Sequence, residues 1–225
     1  VEQQMQLMSK CDFVLAPSYI TQYELAHFRI PSVFLPAGVD TNLLDTMHRI
    51  NKKEQIMFLS RLVPHKHLET LIEAVSLLRP KIPLLVSGPG DTSEYEKQAE
   101  RLKVPITFCE LTDTEKVQAL AESMVLVHPS EYEGFSLPPL EALYLETPVV
   151  VSDIPQHRHL LANYALFLYT TEAQELADRI GMIFNNYPEA QRMAHEGSQF
   201  VKNNYTLKLA SERLSNILHE TIRKH

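Results

Sequence analysis

Glu133 and Glu141 are separated by seven residues, GFSLPPL, and that interval suits the holding of a phosphorylated ligand. The adjacent Pro138 and Pro139 mark the first turn of a helix, where the amide that proline lacks has no partner to lose. The same turn carries unpaired N–H groups and the positive end of the helix dipole, so it attracts anions. Ser136 is the expected N-cap. Gly134 lets the backbone approach a ligand, leaving the amides of Phe135, Ser136 and Leu137 to face a phosphate. One acid then precedes the phosphate cradle and the other follows it by about one helical turn, which suits gripping two hydroxyl-bearing parts of one ligand. Two sugars joined by a diphosphate fit. Taken alone, either glutamate also reads as a solvated loop acid or as a helix acid favoured by the dipole.

The elements that must position these residues follow a β/α rhythm. Short apolar runs at 13–17, 32–36, 55–60, 83–88, 106–109, 124–129, 148–153 and 165–170 read as strands, most of them unbroken, as parallel strands covered on both faces should be. Helical periodicity lies between them at 67–78, 93–103 and 114–123, the last opened by Thr112 and Glu115 at capping-box spacing. After Thr170 three amphipathic segments follow, at 172–186, 189–204 and 207–224. The expected fold is α/β, a doubly wound, mainly parallel Rossmann-like sheet with a helical C-terminus. Residues 37–54, polar and with a Pro-Ala-Gly turn, read as a linker.

In such a sheet, ligands sit beyond the carboxyl ends of the strands. Five handovers there carry chemistry: Arg61 and Lys66 after 55–60, Gly88 to Gly90 after 83–88, the segment from Cys109 after 106–108, the stretch around Glu133 after 124–129, and Asp153 to His157 after 148–152. Gly88-Pro89-Gly90 equally reads as a plain turn. The paired histidines, His65 with His67 and His157 with His159, each lack a third ligand nearby in sequence, so no metal site is expected. Asp113-Thr114-Glu115 resembles a metal-binding carboxylate pair, but helix capping explains it.

Composition narrows the classes. The 225 residues are 44% hydrophobic, enough for a sizeable core, and the formal charge of −7 with scattered basic residues excludes a nucleic-acid surface. Cys11 and Cys109 read as buried thiols in a reducing compartment. No apolar run approaches the length of about 20 residues that a spanning helix needs, and the N-terminus lacks a signal-peptide pattern. A cytoplasmic location is expected. The chain starts at Val1 with an element almost at once, which reads as part of a longer protein.

The spaced glutamates, with CDFVLAPS, VFLPAGVD, FLSRLVPHK, LLVSGPG, VHPSEYEGFSLPPLEAL, TPVVVSDIPQHR and ALFLYTTEAQELADRI in that order, resemble the retaining GT-B glycosyltransferases of the glycogen-synthase-like and mannosyltransferase-like group, family four. The likeness covers nearly the whole chain. It implies a hexosyltransferase whose donor is a nucleoside diphosphate sugar, with an acceptor hydroxyl on a glycan or glycolipid and no cofactor or required metal. By resemblance, Glu133 contacts the donor sugar as the catalytic residue, Glu141 the ribose, Arg61 and Lys66 the diphosphate, Gly88 the donor, and the loop of Cys109, Glu110 and Leu111 the base. Gly134, Phe135, Ser136 and Leu137 form the phosphate cradle. Replacing Arg61 or Lys66 is expected to leave folding little changed.

The resemblance also implies that residues 1–36 are the last strand and helix of an N-terminal acceptor domain, 37–54 a linker, 55–205 the nucleotide-sugar domain, and 206–225 a helix returning to the acceptor domain. This chain alone is then inactive. Its partner is that absent domain or a second chain, with self-association through the exposed faces and peripheral membrane attachment through the absent part as further expectations. A non-catalytic nucleotide-sugar-binding module is the alternative, and a nucleotide-sugar epimerase a weaker one. Two family glycines are replaced, by His67 after the phosphate lysine and by Glu146 before Thr-Pro.

Overall fold

The computed structural model describes residues 6–47, 51–161 and 163–223. Six parallel strands form the main sheet in the order β5-β4-β3-β6-β7-β8: β3 (Lys53–Leu59), β4 (Leu84–Ser87), β5 (Ile106–Cys109), β6 (Ser123–His128), β7 (Val149–Ser152) and β8 (Leu166–Leu168). The chain winds outward from β3 to β5, returns to β6, and winds the other way to β8. The switch in direction therefore falls between β3 and β6, where this class of sheet leaves a crevice at the strand carboxyl ends.

Alternation along the strands separates two cores. Met57, Leu126, Val149 and Val151 face one side, where α5 (Asp113–Glu122), α6 (Leu137–Tyr144) and α9 (Tyr187–Asn204) contribute Leu120, Leu140, Leu143 and Ala194. Ile56, Phe58, Val125, Val127 and Val150 face the other, against Leu71 and Ile72 of α3 (Leu68–Leu77) and Ile180 of α8 (Ala173–Asn185). These side chains are withdrawn from water on both faces, which is why the strands are continuous apolar runs. The expected capping box is present: Thr112 accepts from the Glu115 amide, and the Glu115 carboxylate accepts from the Thr112 amide. α4 (Ser93–Leu102) and α7 (Pro155–Leu161) complete the layers.

The first two strands stand apart. β1 (Val14–Ala16) and β2 (Ser32–Phe34) pair with each other in a separate parallel sheet, bridged by α1 (Tyr19–His27). Tyr19 stacks on Phe34 at 4.0 Å between ring centroids, and His159 of α7 meets the Tyr19 ring edge-on at 5.0 Å. Cys11, expected as a buried thiol, is instead exposed, because it precedes β1 in a surface turn. Within 37–54 a short helix, α2 (Thr41–Leu44), follows Val39, whose amide donates to the Tyr205 carbonyl at 2.8 Å. The Leu207 amide returns a bond to the Val39 carbonyl at 2.9 Å. That exchange ties the segment to the start of α10 (Leu207–Ile222).

Both residues standing where the resembled family has glycine occupy left-handed backbone: His67 at φ 53° and Glu146 at φ 57°. A side chain there costs about 1–2 kcal/mol, partly offset in glycine by greater chain entropy. Glu146→Gly loses an exposed contact with His195 and the carboxylate that offsets the burial of the Lys52 ammonium, and relief of the left-handed side chain is still expected to raise stability by about 0.5 kcal/mol in urea unfolding.

Candidate functional site

Glu133 lies in the loop after β6, and its carboxylate is nearly withdrawn from water, with 12% of the side chain exposed. Two groups compensate the burial. The Lys66 ammonium donates to Oε1 at 2.6 Å, and His128 Nε2 stands 2.5 Å from the same oxygen. Lys66 is delivered by a 3-10 turn, Pro64–Lys66, after β3, and His128 is the last residue of β6. Burial pushes the Glu133 carboxyl up, but the His128 hydrogen bond and charge, with the Lys66 ammonium, outweigh it and hold the group well below the usual carboxylate range.

Behind this group lies His157 of α7, fully buried, its ring 5.7 Å from that of His128. Its Nδ1 is 2.9 Å from the Ser152 carbonyl and its Nε2 is 3.0 Å from the Ser136 hydroxyl. Burial first, and then the charge of His128, depress the imidazole to about 3, so it is neutral at ordinary pH. A carbonyl only accepts, so Nδ1 carries the proton and Nε2 accepts from Ser136.

A cleft of about 430 Å³ opens beside these residues, at the carboxyl ends of β3 and β4. Arg61, Gly88, Leu111, Leu137 and Glu141 all line it. Gly88 is required by packing: at φ 148°, a Cβ there would lie 1.9 Å from the Ser60 carbonyl oxygen. Glu141, one turn into α6, is pushed up by burial, with Lys116 opposing and Asp113 reinforcing the shift. The amides of Gly134, Phe135, Ser136 and Leu137, the last of which lines the cleft, have no hydrogen-bond acceptor among the described residues. A larger cleft of about 750 Å³ lies at the other end of the sheet, near Lys52 and Arg79, and holds none of the expected site residues.

Some expectations change in detail. Ser136 precedes α6 but does not cap it with its side chain: its backbone is left-handed, φ 84° and ψ 69°, and its hydroxyl turns inward to His157. Phe135 points into the core against Tyr205. Glu110 is exposed, and Cys109 is half-buried with its thiol on the Val86 carbonyl at 3.6 Å, pushed up by burial and by Glu115. Arg61 is exposed, as a clamp can be, whereas Lys66 is 6% exposed, so its replacement does bear on folding.

His128 and Lys116 escaped the sequence reading, and His157 stands out there only as part of a strand handover and of a histidine pair, without its partners. His128 and His157 are neighbours only because β6 and β7 are adjacent, and neither has a short-range motif. His157 does not work with His159, which lies on the Tyr19 ring instead. His128, Glu133 and His157 bring potential ligand atoms within 4.8 Å of one another. Both His157 nitrogens are engaged, however, and the Lys66 ammonium already supplies positive charge to that carboxylate.

A parallel, doubly wound sheet with a helix start at its switch point defines an α/β protein of Rossmann-like type. The chain belongs to the family described as Glycosyl transferases group 1, matched over residues 43–200. It is 27% identical over 197 residues to the O-antigen chain mannosyltransferase RfbU of Salmonella typhimurium, covering 80% of this chain and 56% of that protein. It is 32% identical over 167 residues to a GDP-mannose-dependent alpha-mannosyltransferase of Mycolicibacterium smegmatis, covering 69% and 43% respectively. The chain thus spans about half the length of the curated relatives it matches. The fold matches Anabaena HepE in complex with UDP-glucose at a TM-score of 0.86 and 18% identity, covering 97% of this chain and 67% of that one.

Lys66→Ala is expected to destabilise the protein by about 3 kcal/mol, because it strips a cation from a buried carboxylate, and Lys66→Met with Glu133→Gln to recover most of the loss. The depressed carboxyl contributes stability that is present above its ordinary value of 4.5 and lost as pH falls below it. Acid unfolding curves of the wild type should therefore be steeper below that value than those of Glu133→Gln.

Proposed function

We propose that this chain is the donor-binding part of a retaining glycosyltransferase that moves a hexose from a nucleoside diphosphate sugar to a hydroxyl of a glycan or glycolipid. One observation carries the reading: consecutive amides without acceptors lead into a helix whose first residue, Leu137, lines a cleft together with Arg61 and Glu141. Breaking the bond between the anomeric carbon and the diphosphate leaves negative charge on the departing oxygen, and as the new bond forms the acceptor hydroxyl passes its proton to that departing diphosphate. Amides, the α6 dipole and Arg61 stabilise that charge without reorganising. These groups take the part a metal plays in other transferases, so no metal is required. Glu141 receives the ribose and the segment from Cys109 to Leu111 the base, while Glu133 accepts from the sugar hydroxyls. Lys66 holds Glu133 in place and, with Arg61, contributes positive charge towards the diphosphate.

The mannosyltransferases among the relatives support a hexose donor, and mannose first among hexoses. The acceptor belongs to a further domain. The separate sheet of β1 and β2 supports this, as do Tyr19, Tyr23, Phe28, Leu207 and Leu218, large apolar side chains left exposed on α1 and α10 or at their ends. The chain alone binds donor and transfers little, since the rate depends on bringing donor and acceptor into one water-excluding cleft.

Calorimetry with GDP, UDP and their hexose conjugates tests these roles. Arg61→Ala should weaken nucleoside diphosphate binding by about 1.5–3 kcal/mol, the worth of a charged hydrogen bond. Glu141→Gln should weaken it too while raising the melting temperature, because it removes a buried charge that burial disfavours. Glu133→Gln should spare the plain nucleotide and weaken only the sugar conjugate. Unchanged affinity in Arg61→Ala and Glu141→Gln rejects the site.

A further inference from the structure

We infer that His157 is a positioning residue for the donor site: it holds Ser136 in a left-handed backbone conformation, and so fixes the direction in which the amides at the start of α6 point. The inference rests on the nucleotide-binding reading above. Ser136 has φ 84°, a region that side chains other than glycine's enter at a cost. Such strain persists where the surroundings over-determine it. At Ser136, which is buried, those surroundings include one hydrogen bond with a fixed direction.

The Ser136 hydroxyl, inside the protein, donates to Nε2 of His157 at 3.0 Å. The imidazole cannot turn away from it. Its other nitrogen donates to the Ser152 carbonyl at 2.9 Å at the end of β7, and the ring is wholly enclosed. The Ser152 hydroxyl is itself tied to the Ser130 carbonyl of the loop after β6. A rigid chain therefore runs from the ends of β6 and β7 through His157 to Ser136, the residue between the two glutamates at which the backbone turns into α6.

Ser136 has no amide to cap: an N-cap hydroxyl accepts from the second or third residue of the helix, and here those are Pro138 and Pro139, which lack an N–H. The hydroxyl is therefore free to turn inward to His157. The groups facing the imidazole are His128 at 5.7 Å between ring centroids, the hydroxyls of Ser136 and Ser152, and the Glu133 and Lys66 charges beyond.

The test compares three replacements by nucleoside diphosphate affinity, with thermal melting as a control for folding. Ser136→Ala keeps the strained Cβ but loses the anchor, and is expected to bind GDP or UDP about tenfold more weakly. Ser136→Gly needs no anchor, since glycine adopts this conformation freely, and is expected to keep affinity within about twofold of wild type. His157→Leu should lose about tenfold alone and less than about twofold when combined with Ser136→Gly. That rescue separates positioning from general support of the fold, because a merely destabilising change would weaken both backgrounds. Should His157→Leu not fold, the Ser136 pair still decides. Equal affinity in wild type, Ser136→Ala and Ser136→Gly overturns the inference while leaving the donor site standing. A wild type that binds no nucleoside diphosphate overturns the site and the positioning role together. Without ligand, 15N spectra should show His157 protonated at Nδ1 and bare at Nε2 between about pH 5 and 8; a ring protonated at Nε2 in that range contradicts the bond on which the inference depends.

Discussion

Backbone amides that find no acceptor inside a protein must find one outside it, and four in succession, from Gly134 to Leu137, stand in that position at the start of α6. The surrounding site follows from this constraint. Prolines can occupy 138 and 139 because the helix start has no use for their missing N–H groups. Ser136 must take a conformation that serine resists, and its hydroxyl is withdrawn to a buried imidazole. The helix start lies at the switch between β3 and β6, so Arg61 arrives from one strand and Glu133 from the other.

The two glutamates have been separated chemically by their surroundings. Glu133 shares its oxygen with an ammonium and an imidazole, and is driven towards the charged form. Glu141, on α6, has Lys116 and Asp113 of α5 as charged neighbours of opposite sign, and burial drives it towards the neutral form. An acid held ionised suits a rigid acceptor of hydroxyl bonds. An acid that burial disfavours gains most when a ligand supplies hydrogen-bond partners. The same motif thus provides one carboxylate that is satisfied before the ligand arrives and one that is not.

The frame of the fold was legible in the sequence. All eight strands appear where apolar runs stand, and in the central strands β6 and β7 the reason is that a strand covered on both faces has nowhere to place a charge. The Pro-Pro helix start and the Thr112–Glu115 capping box were equally plain, since each is a local rule. What stayed hidden depends on strand order or on single dihedral angles. His128 and His157 are 29 positions apart in sequence and meet only across β6 and β7. The burial of Lys66 follows from its pairing with Glu133, far along the chain. Ser136 looks like an ordinary N-cap until its positive φ turns the hydroxyl the other way. His67 and Glu146, conspicuous only as replacements of glycine, occupy the left-handed backbone that glycine would favour.

The account stands on the amides at the start of α6 being the diphosphate's receptor. An amide-resolved 15N titration with GDP and UDP reads this directly. The account predicts that the resonances of Gly134, Phe135, Ser136 and Leu137 move with saturation, together with those near Arg61 and Glu141, and that inorganic sulfate moves the same amides more weakly. Nucleotide binding that shifts resonances elsewhere in the sheet and leaves these four unmoved contradicts it.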